Sequence, residues 1–445
     1  MLLDGWGPVS VSRVTEAVGE SEVTPSPTGG AGAIPGRVGV GWGCGLAVRA
    51  GRVVAGLSRR LGCGGGSIIG GRVTLALHPG ALRRLAAGCR VVLVSGTNGK
   101  TTTSHMLAAA LGTQGEVAHN ASGSNMADGA VAALVANPSA CWAVLEVDEL
   151  HLGQVARHCD PAAIVVLNLS RDQLDRAGEV RRTAARIGAV LAAHPGARVF
   201  ANADDPMTVW AAQHTAGTPV WVAAGSQWRA DSLTCPRCGV LLGEVSSRWR
   251  CRCGLTQPAP SWWLRGDAAA NERAVTPLSL ALPGAVNRAN ALMALAVAHD
   301  EGVAPGRASA AISGLRQVAG RYSTVSRGPH NVRLLLAKNP AGWVATLSML
   351  TAARPLIVAI NAREADGRDT SWLWDIDFTT LAARELTASG ERAADLGVRL
   401  SYAGLDHYTE ADPLAALQRL APGEVDIVAN YTAFNTLCQR LGARR

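Results

Sequence analysis

The sequence predicts an α/β protein with two mainly parallel sheets, the second smaller than the first. Short apolar runs alternate with helical segments after Arg90, the alternation stops at a cysteine-rich stretch, and it resumes after Gly320. Alternating strands and helices are typical of parallel sheets that helices cover on both faces. A chain of 445 residues is also long enough for two or three domains.

Individual elements follow from short runs rich in Val, Ile and Leu and from longer segments with helical spacing. For the first sheet we predict strands at Val91–Ser95, Trp142–Val147, Ala163–Leu169, Arg198–Asn202 and Val220–Ala223. Helices are predicted at Lys100–Leu111, Val180–Ala193, Pro206–Gln213, Asn287–Glu301 and Gly306–Leu315. For the second sheet we predict strands at Val332–Ala337, Leu356–Asn361, Val398–Tyr402 and Val425–Asn430, and helices at Gly342–Ala352, Pro413–Leu420 and Tyr431–Leu441.

These elements divide the chain into a central domain at residues 44–316 and a smaller Rossmann-like α/β domain at residues 317–445, with a hinge at Gly314–Val325. Residues 1–43 are rich in Gly, Pro and Ser. This composition predicts a disordered extension, or a start codon that has been assigned too far upstream. No apolar run reaches the ~18–20 residues of a membrane span, and the start does not resemble a secretory signal. We therefore expect a cytoplasmic protein.

The segment before the first sheet is strongly basic. Between Cys44 and Arg90 there are eight arginines and no acidic residue or lysine, in a chain of net charge +8. One interpretation is a face that meets an anionic membrane or a phosphate-bearing substrate, and the other is an ordinary solvated face. A membrane contact at the inner leaflet would involve Arg59, Arg60, Arg83 and Arg84.

A phosphate-binding loop is the strongest local signal. It follows the first predicted strand and reads Gly96-Thr97-Asn98-Gly99-Lys100-Thr101-Thr102. Glycines let the backbone approach phosphate oxygens, and the amides that begin the next helix point at them. Lys100 would reach the β- and γ-phosphates of ATP, and the Thr101 hydroxyl would bind Mg²⁺. Lys338 is the only other lysine of the chain, which indicates a second place of nucleotide contact.

Four cysteines predict a zinc ribbon inserted at about residues 228–262. They form the pattern Cys235-x2-Cys238…Cys251-x-Cys253, in which two close thiolate pairs match tetrahedral Zn²⁺. Because four thiolates would fill all positions, we expect a structural site; the alternative is four free thiols. Ten cysteines in a long chain without a secretory signal otherwise argue against a disulfide framework.

Beyond the loop, the chain resembles the Mur ligase superfamily, ATP-dependent enzymes that activate a carboxylate as an acyl phosphate and capture it with an amine. The resemblance implies that Glu146 binds Mg²⁺, that Asn287 and Asn290 contact the adenine, and that Arg321 reaches the nucleotide. The segment Asn168–Asp175 is similar to another family motif, with Gln173 in place of its histidine. The chain also departs from the family in having no central-domain lysine beyond Lys100 and only about 90 residues before the loop, too few for the family's UDP-binding domain.

The zinc ribbon and the C-terminal segments 336–343 and 361–378 resemble one branch of that superfamily, the MurT family. This resemblance implies amidation of the D-glutamate α-carboxylate of lipid II, with ammonia supplied by a glutaminase subunit, GatD. In the family an aspartate of the C-terminal domain is thought to complete the partner's Cys–His pair, and Asp369 or Asp366 is the candidate here, with Asp375 behind them. These acids could equally cap turns around Gly367. Trp372 and Trp374 are either interface anchors or core.

Two other functions remain open at this point. A self-sufficient ligase of the Mur or folylpolyglutamate type would add an amino acid and need no glutaminase. A zinc-ribbon ATPase that binds nucleic acid would use the cluster Arg237, Arg248, Trp249, Arg250 and Arg252. We expect no nucleic-acid partner, because the nucleic-acid interpretation leaves the Mur-like segments without a purpose.

Overall fold

Two sheets organise the part of the chain that the computed structural model describes, which is residues 41–61, 66–121, 124–171, 180–225, 230–245, 248–316, 322–350 and 354–442. Residues 1–40 of the predicted extension at 1–43, part of the predicted hinge, Arg321 and the segment 172–179 with Gln173 lie outside these ranges. The last two residues of that extension, Trp42 and Gly43, begin a helix. The first sheet carries the phosphate-binding loop, and the second follows it in the chain.

The first half of the described chain contains eleven strands. They are β1 (Arg90–Ser95), β2 (Val117–His119), β3 (Trp142–Glu146), β4 (Ala163–Val166), β5 (Arg198–Asn202), β6 (Val220–Ala223), β7 (Gly243–Val245), β8 (Arg248–Arg250), β9 (Trp262–Arg265), β10 (Ala268–Asn271) and β11 (Val275–Pro277). Nine of them form one sheet in the order β11-β10-β9-β6-β5-β4-β1-β3-β2. Pairing is parallel from β2 to β9 and antiparallel across β9, β10 and β11, while β7 and β8 form a separate hairpin.

Helices cover both faces of this sheet. Because successive residues of a strand point to opposite sides, each strand contributes side chains to two buried clusters, one on each face. Val91 and Leu93 of β1 belong to one buried cluster, and Val92 and Val94 belong to the other. The helices are α1 (Trp42–Arg60), α2 (Ser67–Leu77), α3 (Ala81–Ala86), α4 (Lys100–Leu111), α5 (Ala127–Ala136), α6 (Leu152–Cys159), α7 (Val180–Ala193), α8 (Pro206–Ala212), α9 (Ala285–Asp300) and α10 (Pro305–Ser313). Helices α4, α9 and α10 pack on the face of Val92, and α3, α5, α6, α7 and α8 pack on the other.

The second sheet has the order β12-β13-β17-β14-β15-β16. Its strands are β12 (Tyr322–Arg327), β13 (His330–Leu336), β14 (Leu356–Ala359), β15 (Leu386–Ser389), β16 (Tyr408–Thr409) and β17 (Gly423–Ala429). Only the β12–β13 pair is antiparallel. Its helices are α11 (Pro340–Leu347), α12 (Ala393–Tyr402), α13 (Pro413–Arg419) and α14 (Tyr431–Leu441), and buried clusters lie on both faces.

One predicted element is wrong. Val398–Tyr402 was expected as a strand but forms the last turns of the helix α12. The alternation of apolar and polar residues in this stretch is misleading, because Val398 and Tyr402 are exposed. The buried positions of α12 are Ala393, Leu396, Gly397 and Leu400, which follow helical spacing.

The N-terminal basic segment is helical, which sequence patterns did not predict. Helix α2 packs between α1 and α5, and α3 packs against α5 and α6. All eight arginines between Cys44 and Arg90 are exposed. In the described part of the chain, no helix combines the length and the apolar character that crossing a membrane requires.

Candidate functional site

The phosphate-binding loop requires glycine at two positions. Gly96 has φ 134° and Gly99 has φ 86°, values that residues with a Cβ rarely adopt. Space is also limiting: a Cβ on Gly99 would lie 2.5 Å from Asn290 Oδ1, and one on Gly96 would lie 3.0 Å from the backbone of Asn168. Helix α4 begins at Lys100, so its first amides face the space above the loop.

Asn168, in the segment after β4, holds the loop in place. Its Oδ1 accepts a hydrogen bond from Asn98 N at 2.9 Å, and its Nδ2 donates to Asn98 O at 2.9 Å. Thr97 N donates to Asn168 O at 2.8 Å, and Ser170 N donates to Thr97 Oγ1 at 3.0 Å. The loop is therefore preorganised by the segment after β4, the same segment that was singled out in the sequence.

Lys100 lies against the loop in a nearly dry position. Its Nζ donates to the backbone oxygens of Gly96 and Thr97 and lies 3.1 Å from Glu149 Oε2. The Lys100 side chain is 7% exposed and that of Glu149 is 12% exposed. A buried ammonium requires such a counter-ion, and a nucleotide phosphate could take the place of Glu149.

Glu146 lies at the carboxyl end of β3, directly beside Val94 of β1 in the parallel register. Its backbone exchanges two hydrogen bonds with the Asn120 side chain, both 2.8 Å long. Its Oε2 is buried and has no hydrogen-bond partner among the described residues. A buried carboxylate oxygen without a partner is costly, so this position suits a cation. Together with the hydroxyl of Thr101, the second residue of α4, the Glu146 carboxylate fits the oxygen-ligand preference of Mg²⁺.

Helix α9 places the two predicted asparagines differently. Asn290 is buried against Gly99, whereas Asn287 donates to Pro283 O at 2.6 Å. Both asparagines line a small cavity of about 100 Å³. A cavity of about 350 Å³ opens beside the loop, between α9 and the ends of β4, β5 and β6. Its lining is mostly apolar, and its polar members are Asn98, Asn168, Ser170, Asn202, Asp205, Ser232 and Asn290. An apolar cleft with a few polar groups beside a phosphate loop can hold a nucleotide base.

The second sheet closes the site from the other side. A Cβ on Gly342, in the first turn of α11, would lie 3.6 Å from Asn98 Oδ1. Lys338 precedes α11 and shares the cavity of Asn98 and Asn287, where its Nζ lies 4.9 Å from the centre of the Tyr431 ring. The predicted contact of Arg321 falls outside the described residues.

Asp205 is a buried carboxyl that sequence analysis did not single out. It begins α8 and accepts hydrogen bonds from Leu169 N at 2.7 Å and Met207 N at 2.8 Å, and from Ser232 Oγ at 3.3 Å. Burial raises the pKa of Asp205 to about 6, although these hydrogen bonds lower it. Asp205 thus ties the segment after β4 to the entry of the cysteine-rich insertion.

The four cysteines of that insertion converge. All four Sγ atoms lie within 4.8 Å of one another, with Cys235 and Cys253 3.6 Å apart and Cys238 and Cys251 3.4 Å apart. Four sulfurs around one Zn²⁺ at about 2.3 Å are about 3.8 Å apart, so the arrangement fits a tetrahedral site. The backbone amide of Leu255 is the main cause that lowers the pKa of Cys253 to about 7, toward the thiolate that binds metal.

The insertion is anchored to the first sheet domain through Trp249. Trp249 is 9% exposed and packs with Cys235, Cys251 and Leu255 against Val209 of α8. A nucleic-acid surface would need this ring exposed for stacking on bases. The burial of Trp249 therefore removes the aromatic part of the nucleic-acid interpretation.

Arg171 connects three parts of the site. Its backbone N and its Nε donate to the Asp231 carboxylate at 2.9 and 2.5 Å, where the insertion begins. Its Nη2 also lies 3.3 Å from Asp375 Oδ2 in the second sheet domain. A single guanidinium thus joins the segment after β4, the insertion and the C-terminal acidic segment.

The C-terminal acids differ sharply in exposure. Asp366 is buried, accepts from Thr432 N at 2.8 Å and from the Thr432 hydroxyl, and accepts from Arg363 N at 3.3 Å. Asp369 is exposed and accepts from Ser371 N at 2.8 Å; this hydrogen bond is the main cause that lowers the pKa of Asp369. Both carboxylate oxygens of Asp366 thus accept hydrogen bonds within its own domain, whereas Asp369 faces solvent.

The tryptophan pair in the same segment is split between core and surface. Trp372 is buried and stacks on Trp343 with ring centres 5.7 Å apart. Trp374 is 55% exposed and meets Tyr402 edge to face at 5.3 Å. The sequence left open whether these two tryptophans are interface anchors or core residues. Trp372 belongs to the core, and only Trp374 of the pair is on the surface.

Sequence reasoning missed two of these features for different reasons. Glu149 lies three residues after Glu146, and nothing in the sequence pattern indicated its contact with Lys100. Asp205 could have been recognised as a helix cap, because it precedes Pro206 at the start of a helix.

Two family models match the chain. Residues 94–234 match the Mur ligase middle domain, and residues 336–434 match the MurT ligase C-terminal domain. Among solved structures, a pseudomurein peptide ligase type C from Methanothermus fervidus superimposes with a TM-score of 0.63 at 18% identity, covering 78% of this chain and 77% of that chain. MurF from Acinetobacter baumannii gives a TM-score of 0.61 at 18% identity, covering 83% and 80%. These likenesses confirm the expected Mur ligase-like α/β fold.

Curated relatives extend over most of the sequence. The subunit MurT of lipid II isoglutaminyl synthase (glutamine-hydrolyzing) from Streptococcus pneumoniae is 30% identical over 421 residues, which is 86% of this chain and 94% of the relative. The protein of the same name from Staphylococcus aureus is 28% identical over 410 residues, covering 84% and 93%. Mur ligases are ATP-dependent ligases, and the chain is an enzyme of this class. With this identity over nearly the full length of the relatives, the chain belongs to the MurT family.

Proposed function

We propose that this enzyme amidates the α-carboxylate of the D-glutamate residue in the peptide of lipid II, in peptidoglycan synthesis. The observation that carries the proposal is the near full-length similarity to relatives named as lipid II isoglutaminyl synthase subunits. The ATP site supports the energy-consuming half of such a reaction. The nitrogen would come from a separate glutaminase subunit, GatD, because the relatives are named as one subunit, MurT, of a glutamine-hydrolyzing enzyme.

In the first step, a substrate carboxylate oxygen attacks the γ-phosphorus of ATP, and ADP leaves. Lys100 would exchange Glu149 for the β- and γ-phosphate oxygens, and the amides at the start of α4 would bind the same oxygens. Thr101 and Glu146 would hold Mg²⁺, which offsets charge on the transferred phosphoryl group. Asn290, Asn287, Lys338 and Arg321 would contact the remainder of the nucleotide.

In the second step, the nitrogen lone pair of ammonia attacks the acyl carbon of the acyl phosphate. Inorganic phosphate leaves, and the nitrogen loses a proton to give the amide. The acyl phosphate must be protected from water until ammonia arrives. The approach of α11 to Asn98 supports a closed site in which this protection is possible.

We assign Asp369 rather than Asp366 to the contact with the glutaminase. An acid that orients a partner's histidine must be exposed on the free chain, and Asp369 is exposed while both oxygens of Asp366 are occupied. The ionised form of Asp369 is favoured by its bond to Ser371 N. Its role would be to position the histidine of the partner's Cys–His pair.

We further propose that the four cysteines bind a structural Zn²⁺. All four positions of a tetrahedral ion would be filled by sulfur, which leaves no open position for substrate. The anchoring of Trp249 on α8 and the bonds of Arg171 to Asp231 support a role in holding the ATP-site segments together.

The decisive experiment combines the purified chain, its co-expressed glutaminase subunit, ATP and lipid II. With glutamine present, ADP and a product in which one hydroxyl is replaced by an amino group should appear together. Ammonium chloride should replace glutamine and the partner. ADP release that depends on a free amino acid and yields a peptide-bonded product would instead establish an amino-acid ligase.

Variants of the two acids test the assignment of Asp369. Asp369→Asn should remove glutamine-dependent amidation and leave ammonium-dependent amidation intact. Asp366→Asn is the comparison, and it should lower the stability of the chain because it disturbs the bonds to Thr432. If Asp369→Asn reduces glutamine-dependent and ammonium-dependent amidation equally, the assignment of Asp369 is wrong.

A further inference from the structure

The outer surface of helix α1 is apolar. Trp42 is 93% exposed, Leu46 62%, Val53 63% and Leu57 51%. At 3.6 residues per turn these four positions fall within an arc of roughly 60°. The opposite face of the helix, with Cys44, Ala47, Gly51, Ala55 and Ser58, is the one that is buried. A continuous exposed apolar stripe of this kind indicates a binding surface, whereas single scattered apolar residues do not.

Arginines accompany the stripe. Arg49, Arg52, Arg59 and Arg60 of the same helix are exposed, and the first three lie to one side of the apolar positions by helical spacing. From Cys44 to Arg90 the chain has no acidic residue to offset them. We call these four arginines, with Trp42, Leu46, Val53 and Leu57, the α1 stripe. Its apolar centre and single sign of charge complement a surface that is both apolar and anionic.

Helix α1 is mounted rigidly through close contacts of small residues with α2. A Cβ on Gly51 would lie 2.5 Å from Gly70 O, so the two helix backbones approach as only glycines permit. Thr74 Oγ1 donates to Gly70 O at 2.9 Å and lies 3.4 Å from Ala47 O. The buried face of α1 is therefore fixed, and the stripe is the face that remains.

The helix pair is in turn fixed to the ATP-binding sheet. A Cβ on Gly71 would clash with Asp128 O of α5, and Arg72 Nε donates to the same residue's carboxylate at 2.9 Å. Arg52 also donates to Val135 O of α5 at 2.7 Å. Whatever binds the α1 stripe thus sets the orientation of the catalytic sheet.

We infer that the α1 stripe docks on the surface of an anionic lipid bilayer. Its apolar side chains would enter the interfacial layer, and its arginines would bind headgroup phosphates, as amphipathic helices do when they lie in the membrane plane. The inference goes beyond the arginine contact that the sequence suggested, because insertion of apolar side chains would make the larger contribution to membrane binding. It does not depend on the amidation proposed above.

Flotation of the full-length chain with vesicles tests the inference. The chain should float with vesicles of phosphatidylglycerol and phosphatidylcholine, without ATP or substrate, and should stay behind with phosphatidylcholine alone. Leu46→Glu combined with Val53→Glu should weaken binding at least about tenfold, because two charges would have to enter the apolar layer. Val398→Glu is the matched control, since Val398 lies on a helix with a similar exposure of 53% but is outside the stripe.

The charged part of the stripe is tested separately. Each of Arg49→Gln and Arg60→Gln should weaken binding about fivefold, and added salt should reduce that difference. Quenching of tryptophan fluorescence by brominated lipids should fall in Trp42→Phe, because Trp42 would be the ring that enters the bilayer. This readout does not depend on whether the glutamate variants fold.

Three results would overturn the inference. The wild-type chain could fail to float with anionic vesicles. The paired glutamate variant could float as well as the wild type, which would reduce the contact to electrostatics. Sedimentation could show a dimer that the same variant dissociates while vesicle binding is unchanged, and the stripe would then be the interface with a second copy.

Discussion

Glu149 Oε2 lies 3.1 Å from Lys100 Nζ, so the lysine of the phosphate-binding loop is neutralised by an acid of the same site. Both side chains are nearly buried, and the lysine also donates to two backbone oxygens of the loop. A nucleotide that draws on Lys100 must therefore compete with Glu149. This relationship links the stability of the free enzyme to its affinity for ATP.

Replacing Glu149 tests that competition. Glu149→Gln should lower the free energy of unfolding without nucleotide by about 3–5 kcal/mol, because the buried ammonium loses its counter-ion. The stabilisation produced by ADP should be larger in the variant than in the wild type, since the phosphates no longer displace a carboxylate. Urea unfolding with and without ADP measures both effects.

Glu301→Gln provides the control for that experiment. It also breaks an ion pair, 2.5 Å between Glu301 Oε2 and Arg90 Nε, but at the far end of β1 from the loop. It should cost stability and leave the ADP-induced gain unchanged. Equal gains in Glu149→Gln and wild type would show that Glu149 does not compete with the nucleotide.

Glu146→Gln should raise the Mg²⁺ concentration needed for half-maximal ATP turnover by about tenfold or more. The physical reason is the buried Oε2, which has no hydrogen-bond partner among the described residues, so that a cation would compensate its charge. In EDTA the variant should unfold no more easily than the wild type, because an uncompensated buried charge has been removed. Asp148→Asn is the control, since Asp148 Oδ1 accepts from Leu150 N; a parallel Mg²⁺ shift in that variant would contradict the assignment.

Cys238→Ser should release the metal of the insertion. We expect one zinc per wild-type chain and almost none in the variant, measured by elemental analysis of the purified protein. The midpoint of thermal unfolding should fall, because metal binding and local folding are coupled. Cys141→Ala, outside the cluster, should retain its zinc. A wild-type chain that contains no zinc after expression in zinc-supplemented medium would disprove the site.

His119 should make the protein sensitive to acid. Burial, and next the neighbouring His105, lower its folded-state pKa to about 3, from an ordinary value of 6.5. Below pH 6.5 the unfolded chain takes up a proton that the folded chain excludes, so stability falls as pH decreases from 6.5 toward 3. The slope is about 1.4 kcal/mol per pH unit for this group. His119→Gln should flatten the pH dependence of urea unfolding by that amount between about pH 6 and about pH 4.5; an unchanged slope would mean that His119 titrates normally.

Some elements were predictable because a local rule determines them. Helix α4 begins at Lys100 and ends at Leu111 as expected, since the glycine before it and the apolar residues within it both act over a few residues. Helix α12 was misread because five residues fit either period, and only the sheet beneath it decides which side chains are buried. The cluster of four cysteines was predictable because their spacing in the sequence is of the kind that brings two close pairs of thiols together.

The sequence by itself determined the phosphate-binding loop, the metal-type cysteine pattern and the succession of two α/β units, because each depends on neighbours along the chain. Only the tertiary structure decided that Glu149 faces Lys100, that Asp369 rather than Asp366 is exposed, and that the apolar side of α1 is left on the surface. These outcomes depend on which distant segments meet. Burial and charge compensation are properties of the packed chain, and residue order alone does not specify them.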